Sequence, residues 1–135
     1  MNIFHYFLIL ILMFFLHIVD DYYFQGILAS LKQKSWWEEH APNKLYKNDY
    51  KMALFEHAFS WSFVISLPWL VINFINYNLG LSLMLIALYI FNTCTHALID
   101  NLKANAKIIN LIEDQCAHFI QIFITWSLLT LIYII

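Results

Sequence analysis

The chain has 135 residues, of which 62% are hydrophobic and 19% aromatic, and only 12% are charged. Soluble domains carry about 25% charged and about 45–50% apolar residues, and a body this small has too much surface to hide the excess inside. These figures exclude disorder and argue against a soluble monomer. A net charge of −2 without a basic cluster offers nucleic acid no phosphate footprint.

The apolar residues come in long runs rather than in alternation, which disfavours a β-barrel. Two Gly and two Pro suit long helices. The expected fold is an all-α integral membrane protein, a four-transmembrane-helix bundle forming a single domain over residues 1–135, with spans of about 20 residues or more. The first span covers about residues 3–31: apolar from Ile3 to Val19, then more polar to Leu31. The run Met1 to Leu16 lacks a basic leader and a small-residue cleavage site, so it is expected to be a retained span. The loop from Ser35 to Lys51 contains Trp36-Trp37-Glu38-Glu39 and Pro42. Two Trp beside charges suit the lipid headgroup region. The second span covers about residues 52–76, and Pro68 inside it is a candidate kink. The third, about 81–101, follows a short turn through Asn76 to Gly80, and the fourth covers about 108–135. Cys94 and Cys116 lie in the last two spans without C-x-x-C spacing, so no disulfide framework is expected. Buried structural thiols are the expectation for them.

Lysine placement sets an expected topology. Lys32, Lys34, Lys44, Lys47 and Lys51 fall in or beside the first loop, and Lys103 and Lys107 in the third. The second loop and both chain ends carry none. The positive-inside rule then places the protein in a bacterial inner (cytoplasmic) membrane with both termini outside. Seven Lys with no Arg, and many Ile and Asn, point to an AT-rich bacterial or phage genome. The lipid bilayer is the expected partner, and a homo-oligomer is compatible with the pattern.

Ionisable residues inside a span are costly and face a bundle interior or a water-filled cavity. The first span carries His17-x3-Asp21-x3-Gln25, and the second Glu56-His57. The third carries His96-x3-Asp100-x2-Lys103, and the fourth Asp114-Gln115-x2-His118. Steps of three or four put each set on one helix face. Asn92 extends the third set one turn deeper, and Gln121 and Thr125 extend the fourth. Each of His17, His57, His96 and His118 lies about 16–19 residues, roughly 24–28 Å, from the outer end of its span. The order of Asp and His reverses between inward and outward spans, so Asp21, Asp100 and Asp114 form a layer about 5–6 Å to the cytoplasmic side of the histidines. Asp20 is one residue off the His17 stripe and ranks below Asp21. The two cysteines lie about 200° around their helices from His96 and His118 and point away. His5 and His40 belong to neither layer.

His with carboxylate is a ligand set for a divalent transition metal, with zinc the first choice and iron or manganese alternatives. His17, His96 and His118 are the leading ligands, with His57 a fourth. Asp21, Asp100 and Asp114 are ligands, partners of the ligands or a general base. Lys103 can stabilise an anionic transition state. Gln25, Glu56 and Gln115 are supporting polar residues. The plain alternative is a buried hydrogen-bond network, in which each carboxylate orients an imidazole and Lys103 pairs with Asp100.

The combination of His17-x3-Asp21-x3-Gln25, His57, His96-x3-Asp100-x2-Lys103 and Asp114-Gln115-x2-His118 resembles the domain of unknown function 3307 family of small bacterial and phage membrane proteins. The resemblance spans nearly the whole chain. It implies a membrane protein and carries over no activity. The chemistry of the residues supports a metal-dependent hydrolase acting on an amphiphilic or phosphoester substrate. Two other functions use the same residues: a non-catalytic membrane partner protein, and a proton or cation pathway. Against the pathway, Leu8 to Leu16 and Ile122 to Ile132 hold no ionisable residue.

Overall fold

The computed structural model describes residues 2–135. Among them the α-helices are α1 (Ile3–Val19), α2 (Leu28–Leu31), α3 (Lys34–His40), α4 (Asp49–Ile75), α5 (Leu79–Asn101) and α6 (Leu111–Ile134), with no strand. A π turn extends α1 over Asp20–Phe24, another extends α5 over Leu102–Ala106, and a 3-10 turn covers Lys44–Tyr46. With these extensions α1, α4, α5 and α6 are the four helices long and apolar enough to cross a membrane. They form a closed ring in which α4 touches α1 and α5, and α6 touches α5 and α1.

The helix ends follow from local chemistry. The Asn78 side chain accepts from Leu81 N at 2.9 Å and starts α5. Asn110 and Glu113 form a capping box that starts α6 at Leu111, three residues later than the apolar pattern suggests. Lys107, held at φ 55°, prevents an earlier start by turning the chain out of the α5 extension. Asp49 begins α4 three residues before the expected start, in a first turn that favours a carboxylate. α4 runs through Pro68 without ending.

The first predicted span is not continuous. It ends in the π turn, and Gly26 reverses the chain at φ +52° before α2. A Cβ at Gly26 would meet only the Phe24 carbonyl oxygen, at 3.8 Å, so space does not require glycine there; the backbone angle does. Gly26→Ala is therefore expected to cost about 1–2 kcal/mol, measured as a lowered unfolding midpoint in detergent.

The bundle is polar inside at one end and apolar outside. Tyr6, Ile9, Met13, Ile65, Trp69, Leu81, Leu85 and Leu129 build an apolar core around the end where α1 and α6 have their chain termini. At the other end His, Asp, Lys, Asn and Gln are buried beside Leu54, Ala58 and Trp61. Outward faces carry Phe7, Ile11, Phe63, Ile86, Ile120 and Phe123, all exposed. Exposed apolar surface on this scale marks contact with something other than water.

Candidate metal centre

Each long helix delivers polar side chains to the same end of the bundle. On α5, His96 and Asp100 are one turn apart; on α6, Asp114 and His118 are. α4 supplies His57 with Trp61 one turn on, and α1 supplies His17. The π turn then adds Asp20 and Asp21 together. A regular helix turns about 100° per residue and would separate two neighbours. In this wider turn both carboxylates reach His57: Asp20 Oδ2 lies 3.8 Å from its Nδ1 and Asp21 Oδ1 lies 3.4 Å from its Nε2. Asp20 is buried and also accepts from the Ser60 hydroxyl at 3.0 Å, but of the two neighbours Asp21 is the one in a donor group that can hold a metal, as its place on the His17 stripe suggests. Single-turn π segments recur at functional sites.

Five side chains converge on one small volume. His57 Nε2 and His96 Nε2 are 3.1 Å apart. Asp21 Oδ1 is 4.0 Å from His96 Nε2. Asp100 Oδ1 lies 3.8 Å from His96 Nε2 and 3.3 Å from His118 Nε2, and Asp100 Oδ2 lies 3.5 Å from His57 Nε2. Donors bound at roughly 2.0–2.2 Å around one ion sit about 3.0–3.5 Å from each other. The observed spacings are close to this and slightly wider. Two overlapping donor groups, Asp21–His57–His96 and His96–Asp100–His118, can hold a metal ion, and His96 belongs to both.

The surroundings order the cluster. The Trp61 indole N–H donates to His17 Nδ1 at 2.8 Å, which leaves His17 Nε2 to donate to Gln115 Oε1 at 3.1 Å. Both nitrogens of His17 are therefore engaged beside the donor groups, and its ring sits 5.7 Å from that of His118. Trp61 stacks on His96 at 4.2 Å, and His96 stacks on His118 at 4.0 Å. The amide of Gln115 donates to Asp21 Oδ2 at 3.3 Å and to Asp114 Oδ2 at 3.1 Å. One turn deeper, Gln121 Nε2 donates to Asn92 Oδ1 at 2.9 Å, and Asn92 Nδ2 donates to Thr125 at 3.0 Å.

Charge is the notable imbalance. Asp20, Asp21, Asp100 and Asp114 are matched by two ammonium groups: Lys32 donates to Asp100 Oδ2 at 2.6 Å, and Lys103 pairs with Asp114. With neutral imidazoles the cluster carries −2, equal and opposite to one divalent cation. Asp20 Oδ2, Asp21 Oδ1 and Asp114 Oδ1 are buried without a hydrogen-bond partner among the described residues. Buried carboxylate oxygens left so are costly unless a cation meets them. The expected pairing of Lys103 with Asp100 is replaced: Lys32, reaching in from α2, takes Asp100, and Lys103 takes Asp114. The sequence assigns Lys32 only to the topology, because the bend at Gly26 hides its direction. Trp61 was legible in principle, being one turn from His57 on the same face.

The carboxylates do not buttress every imidazole from behind. His96 Nδ1 and His118 Nδ1 are buried without a hydrogen-bond partner among the described residues, whereas His57 Nδ1 lies 3.8 Å from Asp20 Oδ2 and His17 Nδ1 lies 3.6 Å from Asp21 Oδ2. Glu56 is exposed and stays outside the cluster. Gln25 donates to the Asp21 carbonyl at 2.8 Å and shapes the π turn instead. Cys94 and Cys116 are exposed, which corrects the expectation of buried thiols; they do face away from the cluster. His5 and His40 are exposed, bonded to Asn2 and to the Trp36 carbonyl. The cluster comes nearest the surface between the α5 extension and α6, where the Lys103 side chain is 26% exposed and its partner Asp114 is fully buried.

No family model, curated protein or solved structure matches the chain.

Proposed function

We propose that the chain is an integral membrane protein holding one divalent metal ion, zinc as the first choice, and that it hydrolyses a phosphoester of an amphiphile at the membrane surface. The observation that carries the metal is the convergence of three imidazoles and two carboxylates from α1, α4, α5 and α6, in a cluster that with neutral imidazoles and ionised carboxylates carries −2. The apolar outer faces and buried polar interior support the membrane setting. The motif set keeps the chain beside the domain of unknown function 3307 family, in a bacterial inner membrane with both termini outside.

His57, His96, His118, Asp21 and Asp100 would hold the ion. When bound, a divalent ion supplies Lewis acidity toward a phosphoryl oxygen and acidifies water. Asp114, with its Oδ1 free of hydrogen bonds and 3.4 Å from His118 Nε2, is placed to accept a proton. Lys103, at the rim, meets the anionic group of an incoming substrate. Lys32 holds Asp100 in place through its Oδ2. His17, fixed by Trp61 and Gln115, orders the wall next to Asp21. The pathway alternative is weakened by the apolar core of Ile65, Trp69, Leu81 and Leu129 beyond the Asn92 layer.

The test is hydrolysis of short-chain amphiphilic phosphoesters by zinc-loaded protein in detergent. Release should depend on the ion, and Asp114→Asn should cut it by about 10²–10⁴-fold, the usual contribution of a positioned acid or base, while leaving bound zinc in place. Zinc-loaded protein inert toward every such ester would overturn the catalytic reading and leave a structural metal.

A further inference from the structure

A second site lies away from the His/Asp cluster, in the loop between the first two long helices. A cavity of about 190 Å³ opens there, with Lys34, Trp37 and Glu38 of α3 on one side and Asn43, Lys44 and Lys47 on the other. Lys34 pairs with Glu38 at 3.3 Å. Lys44 and Lys47 have no ion-pair partner among the described residues, whose lysine pairs involve Lys32, Lys34 and Lys103. Three lysines against one glutamate leave the lining at +2.

The cavity is built rather than incidental. Lys34 N donates to Asn105 Oδ1 at 2.6 Å, and Asn105 Nδ2 donates to the Lys32 carbonyl at 3.1 Å. These bonds fix α3 to the extension of α5. The Trp37 indole N–H donates to the Leu31 carbonyl at 2.7 Å, and its ring stacks on Tyr46 at 6.4 Å. That stack joins the two walls. Beside the lysines, Leu45 is 74% exposed. A cationic cavity flanked by an exposed leucine and a tyrosine suits the boundary between headgroups and acyl chains.

We propose that this cavity binds the phosphomonoester headgroup of a membrane lipid, independently of the metal centre. A lining of +2 complements a phosphomonoester dianion better than the single charge of a phosphodiester. Lysine suits such a group as a point-charge donor.

The experiment titrates the whole protein in detergent, at low ionic strength, with short-chain phosphatidic acid, short-chain phosphatidylcholine and inorganic phosphate, read by calorimetry. Phosphatidic acid should bind at least tenfold more tightly than either of the others. Lys44→Gln with Lys47→Gln should weaken it about 25-fold, at about fivefold per lysine near a membrane surface. Lys107→Gln, in the other lysine loop, should change nothing, and zinc content should be the same in every variant. Both replaced lysines are exposed, so folding is not at stake. Equal affinity for phosphatidylcholine, or an unchanged affinity in the double variant, would overturn the site. Inorganic phosphate binding as tightly as phosphatidic acid, with the same lysine dependence, would overturn the lipid as ligand.

Discussion

His96→Ala is expected to abolish zinc binding and the stabilisation that zinc confers. His96 is common to both donor groups, and its Nε2 lies within 4.0 Å of donor atoms on His57, Asp21 and Asp100. Removing it leaves neither group with three ligands. Free zinc at 1,000 times its dissociation constant stabilises a folded chain by about 4 kcal/mol, and that increment should vanish in the variant. The measurement is melting in detergent with zinc and with chelator. Taking the difference within each protein separates lost ligation from the space left by the missing ring. His5→Ala, at an exposed residue outside the cluster, should keep the full increment.

Lys32→Met is expected to cost about 3–5 kcal/mol in the metal-free protein, the usual penalty for breaking a buried ion pair from one side. Lys32 is 6% exposed, Asp100 is 1% exposed, and among the described residues no other ammonium touches Asp100. Its loss would take the cluster from −2 to −3. Combining Lys32→Met with Asp100→Asn should cost less than the two changes added together, because the pair is removed as a unit. Zinc should shrink the cost of Lys32→Met, since the ion supplies positive charge next to the same carboxylate. Additive costs in the double-mutant cycle would show that the pair is not coupled.

Much of this arrangement was legible because helices repeat. The 3.6-residue period placed His96 above Asp100 and Asp114 below His118, and the run lengths marked out the four long helices. What the period could not show lies where the backbone leaves it. The π turn at Asp20–Phe24 brings a second carboxylate to His57, and the reversal at Gly26 sends Lys32 back into the bundle. Cys94 and Cys116 depart from the expectation for a different reason. An apolar run of sequence suggests a buried thiol, but in this bundle the interior is largely polar at their level and the apolar side faces outward. The exposed Glu56 follows the same geometry, being one residue round from His57.

Native mass spectrometry of the purified protein, with the bound element identified, tests the central claim most directly. One divalent ion per chain is expected, retained in His5→Ala and absent when His57, His96 and His118 are all replaced by alanine. A wild-type protein that takes up no ion from excess zinc, iron or manganese, and melts at the same temperature in chelator, would contradict the account and leave the cluster as a hydrogen-bond network.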